Sequence, residues 1–124
     1  MLKSFNRFIK SFNNASRGLT YLFKSQANAR IELTIASVVI LTGFLFRISP
    51  SEWTSVILSI ALVIGFEGIN TALEILADKI HPEFDSMVGK AKDVAAGAVL
   101  LASIFAAIVG ITIFAPRIMD LMLK

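Results

Sequence analysis

The rhythm of hydrophobic positions changes along this chain. Over residues 1–24, Leu2, Phe5, Phe8, Ile9, Phe12, Leu19, Leu22 and Phe23 recur at helical spacing, with Lys3, Arg7, Lys10, Asn13, Asn14 and Arg17 between them. That periodicity predicts an amphipathic helix, and basic, aromatic-rich helices of this kind lie in a membrane interface. The segment is not read as a signal peptide, because it has no unbroken apolar core followed by a small-residue cleavage site. Beyond it the apolar residues run almost continuously through 30–47, 53–77 and 94–116. Each run is long enough to cross a bilayer, the first at the short end. The expected architecture is all-α. A single membrane-embedded domain fills 1–124, with a surface helix followed by three transmembrane helices.

The joints carry their own signals. Arg47-Ile48-Ser49-Pro50-Ser51-Glu52 reads as a tight connection, with Ser51 as the cap of the next helix and Glu52 in its first turn. Trp53 suits an interface, and Glu32 is expected at headgroup level. Pro82 breaks the second long helix, since a proline disfavours helix in the residue before it. Lys90, Lys92 and Asp93 then open the third span. Gly65, Gly68, Gly97 and Gly110 are expected to let helices pack closely.

Composition narrows the chemistry. Hydrophobic residues make up 56% of the chain and the mean hydropathy is +0.75, above an ordinary soluble domain. There is no cysteine, so disulfides and thiol catalysis are excluded, and a single histidine, His81, excludes a multi-histidine metal site. The net charge of +3 matters mainly through its distribution, and no nucleic-acid partner is expected. Lys3, Arg7, Lys10, Arg17, Lys24 and Arg30 precede the first span, and Lys79, Lys90 and Lys92 lie between the second and third. Only Arg47, Arg117 and Lys124 fall on the other side. The positive-inside rule then puts the N-terminus and the 78–93 connection in the cytoplasm.

One stretch departs from the apolar pattern without leaving the helix. Glu67, Asn70, Thr71, Glu74 and Asp78 fall on one face, at the end of the second run. Ionisable groups at membrane depth are costly and face a bundle interior or an aqueous site. The chain has no glycine-rich phosphate loop, nucleophile elbow or zinc motif. What remains is Glu67, Glu74 and Asp78 on one helix, with Lys92 and Asp93 at the start of the next. Carboxylates with Mg²⁺ and a lysine can form a phosphate site, and a deeper carboxylate can take a proton from a membrane-borne hydroxyl. A cation- or proton-coupled transporter subunit would place carboxylates in the same way. Asp78 either pairs with a lysine or takes a direct part in the chemistry.

The two stretches Glu67-x-x-Asn70-x-x-x-Glu74-x-x-x-Asp78 and Gly89-Lys90-Ala91-Lys92-Asp93-x-Ala-x-Gly97-Ala98-Val99 resemble those of the small integral-membrane prokaryotic diacylglycerol kinases and their undecaprenol kinase relatives. The likeness spans nearly the whole chain and includes Arg17-Gly18 and Asn28-Ala29-Arg30. The wording at Asn28-Ala29-Arg30 and at 93–99 is closer to the undecaprenol branch.

The resemblance implies a homotrimer with active sites shared between protomers, in a bacterial inner membrane. It implies Mg²⁺-dependent transfer of the ATP γ-phosphate to a lipid alcohol. The acceptor is diacylglycerol, giving phosphatidic acid, or alternatively undecaprenol, giving undecaprenyl phosphate. Glu67 matches the family's general base and part of its lipid site, Glu74 a metal- and nucleotide-binding glutamate, and Asn70 the asparagine between them. Lys92 and Asp93 match a nucleotide-contacting pair, and Arg7 a basic nucleotide contact on the surface helix. Glu83, Phe84 and Asp85 fall where the family's loop touches the nucleotide, and Trp53 and Ala96 where lipid is contacted. Two positions depart from the pattern. Gln26 stands where the family has a second metal- and nucleotide-binding glutamate, keeping an oxygen ligand without the charge. Asn14 replaces an aromatic residue near the nucleotide. Along a continuous helix Glu32 would sit some 120° round and roughly 9 Å from Gln26, and so would not replace it.

Overall fold

The computed structural model describes residues 2–123. The side chains of Leu2 and Lys3, and Lys124 as a whole, used above in the apolar stripe and the charge count, lie outside the described residues. Four helices follow one another: α1 (Leu2–Ser25), α2 (Ala27–Phe46), α3 (Pro50–Ile80) and α4 (Ser86–Met122). The last three are long and apolar enough to cross a membrane. α3 and α4 form a long antiparallel hairpin, α2 lies along α3, and α1 meets α2 and α3 only at its C-terminal end.

The turn between α2 and α3 is built from backbone chemistry. Arg47 adopts a left-handed conformation, φ 50° and ψ 52°, and its N–H bonds the Phe44 carbonyl while that of Ile48 bonds Gly43. This pair of bonds closes a helix end in the Schellman manner, and the hydrophobic residue that follows, Ile48, folds back to be 5% exposed. Ser49, rather than Ser51, caps α3. Its hydroxyl accepts from the Glu52 N–H, the Glu52 carboxylate accepts from the Ser49 N–H, and Pro50 occupies the first turn. The reason is local: proline is favoured at the first helical position, which moves the cap one residue ahead of it.

This end of the protomer holds its apolar core. Ile48, Val56, Ile113 and Phe114 are buried together, with Phe46 and Trp53 against them. The Trp53 ring also packs on Phe44, with centroids 4.8 Å apart. Gly43 makes this possible, because a Cβ there would come within 2.8 Å of the indole. Of the four glycines expected to permit close packing, Gly68 meets Leu22 at van der Waals distance, whereas Gly65, Gly97 and Gly110 face open space within the protomer.

α4 continues past Pro116, which lies inside it. A proline removes one helical hydrogen bond and disturbs the preceding turn. Next to it the Arg117 guanidinium donates to the Ile113 carbonyl and, at 2.9 Å, to Glu52 Oε2 on α3. The helix therefore does not end at the proline. At the other end, α4 begins at Ser86, because Asp85 caps it, so Lys90, Lys92 and Asp93 ride on the helix rather than preceding it.

Gly43→Ala should lower stability by about 1–3 kcal/mol, the scale of overpacking against a rigid ring. Gly18→Ala, in a helix with open space around it, should be neutral or stabilising by up to about 1 kcal/mol. Denaturant unfolding in mixed micelles measures both. Equal behaviour of the two variants would mean that the indole does not occupy the space at Gly43.

Candidate active site

The polar stripe of α3 lies on the side of the helix that faces α1 and α2. Glu67, Asn70 and Thr71 are 3%, 7% and 4% exposed, which is unusual for such residues in an apolar helix. The C-terminal end of α1 covers this stretch. Leu22 is buried with a methyl 3.6 Å from where a Gly68 side chain would begin, and Ala29, fully buried, brings α2 close. α1 and α2 are joined across a one-residue break at Gln26, and Arg30 reaches back over it to donate to the Lys24 carbonyl at 3.0 Å.

Hydrogen bonding within the stripe is incomplete. Asn70 Nδ2 donates to Glu74 Oε1 at 3.1 Å. Asn70 Oδ1, Thr71 Oγ1 and, on α2, Glu32 Oε2 are buried without a partner. Buried polar atoms are normally paired, so three orphans in one region mark a place built for something else to bind. Glu32 was not among the candidates read from the sequence, which placed it at headgroup level. Its carboxylate lies near enough to act electrostatically on Glu67. It also lines an apolar cavity of about 270 Å³ between α2, α3 and α4, with Ala36, Val56, Val63 and Ala106 among the other walls. A glutamate at the third residue of the 30–47 run was the available signal.

Farther along the stripe, Asp78 pairs with Lys92 across the α3–α4 hairpin. Asp93 is exposed beside it on α4, and Ala96 is exposed one turn on. The connecting loop carries Glu83 and Phe84, the latter 95% exposed, and a His81 Nδ1–H donates to the Glu83 carbonyl at 3.1 Å. Asp85 has a structural task, its carboxylate accepting from Met87 and Val88 N–H at 2.8 and 2.9 Å.

The protomer thus gathers Glu67, Asn70, Glu74, Asp78 and Lys92 along one edge of the hairpin. It does not bring Arg7 or Asn14 to them, since residues 4–21 of α1 are exposed throughout. Asn14 does line a polar groove on α1 with Asn13, Lys10 and Arg17. Trp53 is fourteen residues from Glu67 on α3, about 21 Å along the axis, at the opposite end of the protomer. Gln26 has an extended backbone, φ −99° and ψ 123°, and its side chain makes no capping bond, leaving the amide available. The continuous-helix relation between Gln26 and Glu32 therefore does not hold, because the break at Gln26 resets the direction of its side chain.

A divalent cation fits this donor set. Mg²⁺ takes one or two carboxylates and completes its shell with phosphate and water. Among the described residues no three acidic or histidine side chains form a closed cage, and Glu74 has one oxygen engaged by Asn70 and the other free to take a ligand.

Residues 13–114 match the family described as prokaryotic diacylglycerol kinase. The chain belongs to that family. An undecaprenol kinase of Bacillus subtilis is 35% identical over 113 residues, 91% of this chain and 92% of the relative. A diacylglycerol kinase of Synechocystis is 37% identical over 90% of this chain but 65% of its own length. The diacylglycerol kinase of Escherichia coli is 30% identical over 84% of this chain and 85% of its own. This prokaryotic diacylglycerol kinase family member is accordingly a membrane protein and a lipid kinase, with ATP as phosphoryl donor and a lipid as acceptor. Family membership decides between the kinase and the transporter readings of the acidic stripe.

The loop that carries Glu83, Phe84 and Asp85 has a pH signature. The N–H groups of Val88 and Met87 hold the Asp85 carboxyl below its ordinary value. A folded-state value below the unfolded one, about 3.9, gives a contribution present above that pH and lost as pH falls through the folded value. Asp85→Ala should therefore speed amide exchange at Met87 and Val88 at neutral pH, and the difference from the parent should close toward acid. Equal protection at pH 7 would show that the cap does not hold the start of α4.

Proposed function

We propose that this chain catalyses Mg²⁺-dependent transfer of the ATP γ-phosphate to diacylglycerol, giving phosphatidic acid. The observation that carries the reading is Glu67, a carboxylic acid buried within an apolar span, with a second, half-buried carboxylate, Glu32, near it on α2 and lining an apolar cavity. An acid in that place can reach a hydroxyl that stays in the membrane. Glu67 accepts the proton as the lipid oxygen attacks phosphorus. Glu32 shapes the charge around Glu67 and borders the space for the lipid's upper chain. Asn70 holds Glu74, and Lys92 meets the phosphates; phosphoryl transfer depends chiefly on such positioning and charge. When bound, Mg²⁺ would be held by Glu74 with Gln26 and would neutralise phosphate charge. Arg7, Asn14, Gln26, Glu83, Phe84, Asp85 and Asp93 complete the nucleotide site, and Trp53 and Ala96 contact lipid.

The distance between Arg7 and Asn14 on the outlying α1 and the stripe on α3 supports a homotrimer in which one protomer's arm serves a neighbour's hairpin. The open flanks at Gly65 and Gly97 suit close contact between copies. By the charge count, the N-terminus and the 81–85 loop face the cytoplasm of a bacterial inner membrane. A second acceptor, undecaprenol, has its own support: the Bacillus subtilis undecaprenol kinase matches this chain nearly end to end. Apolar walls discriminate similar alcohols weakly, so the two lipids should be assayed side by side with purified protein, ATP and Mg²⁺. Lipid-dependent ADP release with diacylglycerol the faster substrate is expected; faster turnover of undecaprenol would replace the first acceptor by the second.

Glu67→Gln should reduce turnover by roughly 10²-fold or more, the scale of a lost general base, in protein that still assembles. Retention of more than half the activity would remove Glu67 from proton transfer. Gln26→Glu should lower the Mg²⁺ concentration for half-maximal activity, because ligand charge tunes the affinity of hard cations. The measurement is a Mg²⁺ titration at fixed ATP and saturating lipid. An unchanged or higher requirement would place Gln26 away from the metal.

A further inference from the structure

The ion pair between Lys92 and Asp78 raises a question that the nucleotide site alone does not answer. Lys92 sits in the second turn of α4, Asp78 in the last turn of α3, and the pair closes the hairpin just before its loop. The side chains are 32% and 68% exposed respectively. An ion pair this open contributes little to stability, since water screens it and two long side chains lose freedom. The hairpin does not need it as a staple, because α3 and α4 pack along their length and are tied at the far end by Glu52 and Arg117.

The geometry favours a different use. A lysine ammonium has three N–H donors on a flexible stem. Left free, it samples many positions, few of them over Glu74. Asp78 lies one turn beyond Glu74 on the same face of α3. A bond to Asp78 takes one donor and holds the ammonium on the Glu74 side of the hairpin, with two donors left for phosphate oxygens. We propose that Asp78 is a positioning residue, which acts on the nucleotide only through Lys92 and fixes that ammonium where the phosphates arrive. The proposal rests on the reading of Lys92 as the phosphate contact.

The experiment is a double-mutant cycle in purified full-length protein: parent, Asp78→Asn, Lys92→Met and the two combined, with Asp78→Glu as the conservative variant. Two quantities are read for each: the dissociation constant for a non-hydrolysable ATP analogue with Mg²⁺, by calorimetry, and the melting midpoint in micelles. Asp78→Asn should weaken analogue binding by about tenfold, the scale of one charge-assisted hydrogen bond, and leave the midpoint nearly unchanged. Asp78→Glu should recover most of the affinity. In the Lys92→Met background Asp78→Asn should change nothing further. An equal loss of affinity from Asp78→Asn with and without Lys92 would overturn the proposal, since Asp78 would then act by itself. A fall in melting midpoint with unchanged affinity would also overturn it and make the pair a staple. Failure of the underlying reading looks different: Lys92→Met alone would bind the analogue as the parent does.

Discussion

Much of this structure follows from burying Glu67, Asn70 and Thr71 in a helix that is otherwise apolar. In lipid such groups cannot be left facing hydrocarbon, so something must cover them. The cover comes from the end of α1 and the start of α2. Leu22 lies over Gly68, a residue without a side chain to hold it off, and Ala29 allows α2 to approach. The break at Gln26 lets the chain turn from one covering helix into the other. Because α2 starts here, Glu32 comes to face the same region one and a half turns later. The orphaned oxygens of Glu32, Asn70 and Thr71 then follow, since the cover is apolar and offers them no hydrogen bond within the protomer.

The rest of the protomer is a frame with little core of its own. Large apolar residues along α2, α3 and α4, such as Leu41, Phe44, Leu58, Leu62, Leu100 and Phe105, are exposed. In water this would be unstable, but lipid is as apolar as leucine and removes the penalty, leaving packing and polar bonds to hold the helices. Those bonds gather at the ends of the hairpin. Glu52 joins Ser49 and Arg117 at one end, and Asp85 caps α4 at the other, where the exposed Asp78–Lys92 pair adds little. The middle of the hairpin is free to present small residues outward.

The sequence made the helices legible because apolar run length is a strong signal, and it made the acidic stripe legible because five polar residues share one helical face. The joints were less so. Ser49 and Ser51 both flank Pro50, and choosing between them needs the rule for proline at the first helical position, not cap preference alone. The third apolar run closes at Pro116, yet α4 continues to Met122 and Arg117 reaches both Ile113 and Glu52, the second contact spanning 65 residues, which no local pattern reveals. Gly43 was indistinguishable from the other glycines without knowing that Trp53 stands opposite it. Glu32 was visible as a residue but not as part of the site, because its meaning depends on the break at Gln26. Arg7 and Asn14 were assigned by resemblance, and the protomer alone leaves them on an arm with no partner in the stripe.

That arm shows where the frame stops and the membrane takes over. α1 touches the rest of the protomer only near Leu22, and burying one leucine is worth about 2 kcal/mol from water. That is too little to fix a helix running from residue 2 to 25. Its exposed phenylalanines, Phe5, Phe8 and Phe12, lie within two turns of one another, with Arg7 and Lys10 between them and Arg17 beyond. Such a helix is held by the lipid surface, its apolar side in the acyl boundary and its basic side toward water. The plane of the membrane, rather than protein packing, therefore sets the height of Arg7 relative to the span ends. The same plane sets the height of a lipid hydroxyl. A basic residue and a lipid hydroxyl measured from one reference surface arrive at matching depth without a rigid connection between them, which is the condition that the role proposed for Arg7 requires.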